Sequence, residues 1–189
     1  MSLHQRSATK IVADLNAGKI RATQVVKHQL GRIAHLNPKV NAVVATNVPP
    51  PGNSWGKLAG LPITLKDQIH FPSLACTFGS EAYRDFYPVQ TAPVVENLLQ
   101  AGAQVIGKTN LPPFAMDFQC SSPLFGTTNN PWDFAYTSGG SSGGGTAAVA
   151  AGLSFVDIGT DLSGSLRIPA SFCGVLACCP QNMPCPLKA

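Results

Sequence analysis

Residues 138–145 read Ser-Gly-Gly-Ser-Ser-Gly-Gly-Gly. A run with no side chain larger than a hydroxymethyl group builds no core face of its own. It serves either as a loop or as a place where two backbones meet at close range, and its flanks must hold it. The flanks suit that role. Residues 146–153 (TAAVAAGL) read as a helix of small residues able to pack closely, and residues 154–158 (SFVDI) as a strand. Residues 159–169 (GTDLSGSLRIP) read as a second tight glycine turn. Successive backbone N–H groups in such turns form concavities that favour negative charge. The first run is not a Walker-type phosphate loop, because no Gly-Lys-Ser/Thr closes it. Gly107-Lys108-Thr109 resembles the end of one, but residues 103–106 read as strand where a loop is required.

The rest of the chain supplies the scaffold. Apolar residues recur at helical spacing over 7–36 with a stop at Asn16-Ala17-Gly18. Thr23 is placed to cap the second helix, and Asn37-Pro38 to end it. Residues 39–46 suit a short strand and 47–56 a turn-rich connector. Residues 61–66 (LPITLK) read as a strand ending in Lys66-Asp67. Residues 92–101 read as a helix with Val94, Val95, Leu98 and Leu99 inward, and residues 104–108 as a strand. Helices alternating with strands predict a partly parallel sheet with crossover helices.

Composition excludes several classes. Of 189 residues 12% are charged, about half the ordinary ~25%, and the formal net charge is +4. The basic residues form no run of three, so no stripe for nucleic acid is visible. The longest apolar stretch, 147–158, contains Gly152 and Asp157 and is too short to span a bilayer. The opening MSLHQRSATK lacks an apolar signal core, which predicts a cytoplasmic protein. Cysteines 76, 120, 173, 178, 179 and 185 have neither disulfide-scaffold nor zinc spacing, so free thiols and no metal are expected. The low charge fraction also predicts apolar surface that expects a cover, from further chain, a partner or an oligomer.

A serine is a poor nucleophile until a base takes its proton. The four histidines, 4, 28, 35 and 70, sit in no recognisable serine-hydrolase setting. A lysine does the same work where burial disfavours its ammonium form. Lys66, ending an apolar strand, is such a candidate. Ser141 or Ser142 in the glycine run can relay the proton, and the small-residue turn before Ser165 can aim its amides at one oxyanion.

The segments LAGLPITLKD (58–67), AGAQVIGKTNLPPFAM (101–116), FGTTNNPW (125–132), GGSSGGGTAAVAAG (139–152) and GTDLSGSLRIPASFCGV (159–175) resemble, in this order, the amidase signature family. The similarity covers about residues 8–177. It implies an α/β/α layered fold around a mixed sheet and hydrolysis of amide C–N bonds through an acyl-enzyme, with no cofactor. Carried over by motif, Lys66 is the base, Ser141 the cis-serine that shuttles the proton, and Ser165 the nucleophile. The amides of Leu162, Ser163, Gly164 and Ser165 form the oxyanion hole. Ser142, Asp161 and Arg167 hold the loops by hydrogen bonds. The implied partner is a small-molecule amide.

The chain departs from the family pattern at Ser163, where glycine is usual, and at Pro113 and Thr91, where acids are common. A side chain at 163 strains the turn if φ there is positive. After Val175 the pattern fails, and family members are far longer. This predicts a truncated domain: residues 1–57 an N-terminal helical segment and connector, 58–177 the catalytic core, 178–189 a divergent tail. Two readings follow, an active amidohydrolase, and a catalytically silent truncated fragment or partner-binding remnant. A role within an amidotransferase for mischarged tRNA draws no support from the sparse basic residues. His28, His35, Trp55 and Trp132 are read as surface or packing residues, His70 as lying near the pocket mouth, and Met116, Phe118 and Cys120 as candidate pocket lining.

Overall fold

A computed structural model describes residues 2–50 and 56–178. Trp55, Cys179, Cys185 and nearly all of the expected tail lie outside the described residues. Helix α1 (Ala8–Asn16) is capped by the Ser7 side chain, which accepts from the Lys10 N–H. Helix α2 (Ala22–Val40) starts at Arg21, whose N–H is taken by the Gln24 side chain, so Thr23 is not its cap. It also runs past Asn37-Pro38. Pro38 removes one donor, but the Asn37 carbonyl accepts from Asn41, and its side-chain oxygen accepts from Ala42 and Val43. Asn41 then closes the helix in the left-handed conformation, φ 53°.

The sheet follows from four short strands: β1 (Val43–Thr46), β2 (Pro62–Lys66), β3 (Gln104–Thr109) after helix α3 (Pro93–Gln100), and β6 (Asp157–Ile158). A small hairpin, β4 (Ser121–Ser122) and β5 (Gly126–Thr127), precedes helix α4 (Gly143–Ala150), and helix α5 (Arg167–Cys173) follows β6. The sheet order is β1-β3-β2-β6, with β2 parallel to both β3 and β6 and β1 antiparallel to β3. The expected strand over 154–158 shortens to two residues, because the Ser154 hydroxyl turns back onto the Val156 carbonyl.

Period-two alternation along β2 sorts its side chains. Ile63 and Leu65 enter a core with Ile11 and Leu15 of α1, Val25 of α2 and Val95 of α3. Thr64 and Lys66 face the other way, toward α4. A second cluster joins Val26, Ile33 and Val40 of α2 to Val43, Ile106, Ala147, Ala148 and Leu153. On α3 only Val95 is fully buried; Val94 and Leu99 are exposed at 44% and 38%, against the inward placement expected for them. Trp132 is also largely exposed, its indole N–H donating to the Cys173 carbonyl. Cys76, Cys120 and Cys173 are buried free thiols and Cys178 is an exposed one. Among the described residues, no helix is long and apolar enough to cross a membrane.

Candidate active site

The glycine run explains how α4 reaches the sheet. A Cβ on Gly143 would overlap Cys120, one on Gly144 the Asn110 backbone, and one on Gly145 the Asp157 carboxylate. Three glycines in a row let the helix start in direct contact with the ends of β3 and β6. The two residues before them, Ser141 and Ser142, are thereby delivered to the end of β2.

There, Lys66 is completely buried, and its Nζ donates to Ser141 Oγ at 2.7 Å and to Thr160 Oγ1 at 3.1 Å. Burial lowers the Lys66 pKa to about 8, against the neighbouring carboxylates of Asp157 and Asp161, which favour the ammonium. Ser141 is fully buried and follows a cis peptide bond, Gly140–Ser141. Ser165 reaches the same place through backbone: its carbonyl accepts from the Ser142 N–H at 3.0 Å, and the residue is 8% exposed. Among the described residues no hydrogen bond joins the side chains of Ser165 and Ser141; the backbone bond from Ser142, the next residue, is what ties Ser165 to the serine run.

Asp161 organises the turn that carries Ser165. Its carboxylate accepts from the N–H groups of Gly164 (2.7 Å), Leu166 and Arg167 (3.2 Å each) and from the Arg167 guanidinium at 2.9 and 3.0 Å. The Arg167 guanidinium, then these amides, hold the Asp161 carboxyl well below the usual range. The Gly164 N–H is committed to Asp161, whereas the N–H groups of Leu162, Ser163 and Ser165 have no acceptor among the described residues. Gly164 carries the positive φ of the turn, +114°, and Ser163 does not, so the strain expected at Ser163 is absent. Ser142 Oγ donates to the Thr160 carbonyl at 3.2 Å and ties the two glycine loops together.

Two residues at this site carry no role in the sequence reading. Thr160 sits in the Gly-Thr-Asp segment, where its hydroxyl is the available signal. Asp157 gives no signal beyond an acid in an apolar stretch. Its Oδ1 accepts from Thr64 Oγ1 at 2.7 Å and Thr109 Oγ1 at 3.0 Å, and burial pushes its carboxyl up to about 6. A buried pair of opposite charge lies alongside. Lys108 is 4.0 Å from Asp67 and donates to the Ile69 carbonyl, while Thr77 donates to Asp67, whose carboxyl burial raises to about 6. Met116 and Phe118 are exposed at 85% and 50%, whereas Cys120 is buried. His70 packs edge-on against Phe78 and Phe86.

Beyond β6 an open groove of about 580 Å³ runs between Val94, Phe155, Ile158, Leu166 and Leu176, with Asp157 and Asp161 in its wall.

The sequence of this site matches a known family. The model of the amidase family aligns with residues 24–186. The chain belongs to the amidase family. This amidase chain is 39% identical over 175 residues to a glutamyl-tRNA(Gln) amidotransferase subunit of Prochlorococcus marinus strain MIT 9303, covering 86% of the chain and 36% of the relative. It is 40% identical over 184 residues to an indoleacetamide hydrolase of Bradyrhizobium diazoefficiens, covering 90% of the chain and 35% of the relative. Its fold superposes on the crystal structure of the corresponding glutamyl-tRNA(Gln) amidotransferase subunit from Thermotoga maritima with a TM-score of 0.84 at 32% identity, over 92% of this chain and 38% of that one. The amidase chain therefore spans little more than a third of the length of the relatives it matches.

Proposed function

We propose that the protein hydrolyses carboxylic amides by acyl transfer to Ser165, with Lys66 as the base and Ser141 as the proton relay. The observation that carries this reading is the 2.7 Å contact between the buried Lys66 Nζ and Ser141 Oγ, in a place where burial brings the lysine down to about 8. A substantial neutral fraction is thus accessible near physiological pH, and only the neutral amine accepts a proton.

The steps follow from that arrangement. Neutral Lys66 takes the Ser141 hydroxyl proton as Ser141 takes that of Ser165. Ser165 Oγ attacks the amide carbonyl carbon, and the developing oxyanion is met by the N–H groups of Leu162, Ser163 and Ser165, the Gly164 N–H being held by Asp161. Lys66, now an ammonium, returns the proton through Ser141 to the leaving nitrogen. The C–N bond breaks, the amine departs, and water attacks the acyl-enzyme by the same relay in reverse. Asp161, Arg167 and Ser142 keep the turn in register throughout. Substrates are small amides, and residues 58–177 carry the core chemistry, with the preceding helices as support.

Initial rates of amine release from a panel of simple aliphatic and aryl amides test this. Lys66→Ala, Ser141→Ala and Ser165→Ala should each lose on the order of a thousandfold or more in kcat/KM while remaining folded. A Ser165→Ala or Lys66→Ala protein that keeps the parent rate overturns the assignment, and a folded parent with no turnover favours the catalytically silent reading.

A further inference from the structure

We propose that Asp157 is a positioning residue of this site: clamped across β2 and β3, its carboxylate supplies the negative charge that balances Lys66 and sets how readily the lysine gives up its proton. The inference rests on the reading of Lys66 as the base.

Three observations carry it. The first is placement. Asp157 pairs with Thr64 in the parallel β2–β6 ladder, so its side chain leaves the sheet on the face shared by Thr64 and Lys66. The second is that the carboxylate is held and given room. Oδ1 takes the hydroxyls of Thr64 and Thr109, from two different strands, and Gly145 of α4 leaves the space that any Cβ would close. The third is charge pairing. Buried charges persist in folded proteins when they are matched; Lys66 is fully buried, and Asp157 is half-buried in the groove wall. Lys108 has Asp67, and the Asp161 carboxylate is taken up by Arg167 and three amides. Asp157 is the remaining carboxylate facing Lys66.

The other ionisable neighbours do not replace it. Lys66 is faced by Asp157 from β6, Asp161 from the following loop and Cys120 from the segment before β4. Cys120 stays a neutral thiol at working pH, because burial pushes it up to about 11. Asp157 is faced by Lys66 from β2 and Lys108 from β3. Helix α4 brings no ionisable side chain between Gly143 and Ala150.

The direction follows from electrostatics. Removing a carboxylate near a buried ammonium disfavours the ammonium, so Lys66 becomes neutral at lower pH. Asp157→Asn is the discriminating variant, because its Oδ1 keeps both threonine hydroxyls and only the charge is lost. The readout is the rate of Ser165 labelling by a fluorophosphonate probe as a function of pH, on the parent protein and on Asp157→Asn, with Ser165→Ala as the blank. The parent rate should rise through a midpoint near 8. In Asp157→Asn the midpoint should move down by about half a pH unit or more, with the high-pH plateau retained within a few fold. An unmoved midpoint overturns the proposal, and so does an Asp157→Asn protein that fails to fold, which would make the residue structural. A parent protein that is not labelled at Ser165 at any pH sinks the reading of the site itself, a result distinguishable from either.

Discussion

At the scale of single residues, Lys66 is where burial and charge oppose one another. A fully buried lysine is unfavourable as an ammonium, and its value of about 8 lies below the 10.5 it has when unfolded. Below about 8 the folded state carries the whole penalty of holding that charge. As pH climbs from about 8 to 10.5 the folded protein sheds the proton first, so this group's contribution to stability rises over that window. Replacing Lys66 with Met, of similar length and no charge, should flatten the rise in denaturant midpoint across the window. Equal slopes for the two proteins would show that Lys66 does not titrate there. Ser163 makes the complementary point: it differs from the family's usual glycine without strain, because the left-handed residue of the turn is its neighbour Gly164.

At the scale of elements, the decisive contact is the glycine face of α4 on the ends of β3 and β6. Gly145 and Asp157 occupy one space, so substitutions at the two positions should be coupled. Gly145→Ala should destabilise strongly alone and much less in the presence of Asp157→Ala, with a coupling energy of about 1 kcal/mol or more from denaturation of the four proteins. Strict additivity would mean that the helix moves freely off the sheet. This contact also marks how far the sequence can be read. The run at 138–145, the strand ending in Lys66 and the helix-then-strand order around α3 and β3 are legible, because small residues, apolar alternation and turn signals are local properties. The end of α2 is not, because the Asn37 side chain, bonding five and six residues ahead, outweighs the break expected at Pro38. Val94 and Leu99 sit outside the core despite their spacing, because a helical stripe does not say how wide a face the sheet covers. Within the candidate site, motif and chemistry single out Lys66, Ser141 and Ser165, and the first two meet in a hydrogen bond. Asp157 is not, because its partners Thr64 and Thr109 are brought to it only by strands far apart in sequence.

At the scale of the whole molecule, a four-stranded mixed sheet holds two loops at the end of β2, and the loops hold a buried amine against a serine. One wall of the molecule is open: the groove beyond β6, lined by Val94, Phe155, Ile158, Leu166 and Leu176, leaves apolar side chains uncovered among the described residues. The relatives match over little more than a third of their length, so what these residues bear on is the proposed nucleophile and its base rather than the choice of substrate. That assignment is tested most directly by exposing the purified protein to a fluorophosphonate probe and mapping the adduct by intact-mass and peptide mass spectrometry. A single adduct is expected on the peptide containing Ser165, absent in Ser165→Ala and formed far more slowly in Lys66→Met. A folded protein that takes up no probe, or one that is labelled equally well after Ser165→Ala, would contradict the assignment.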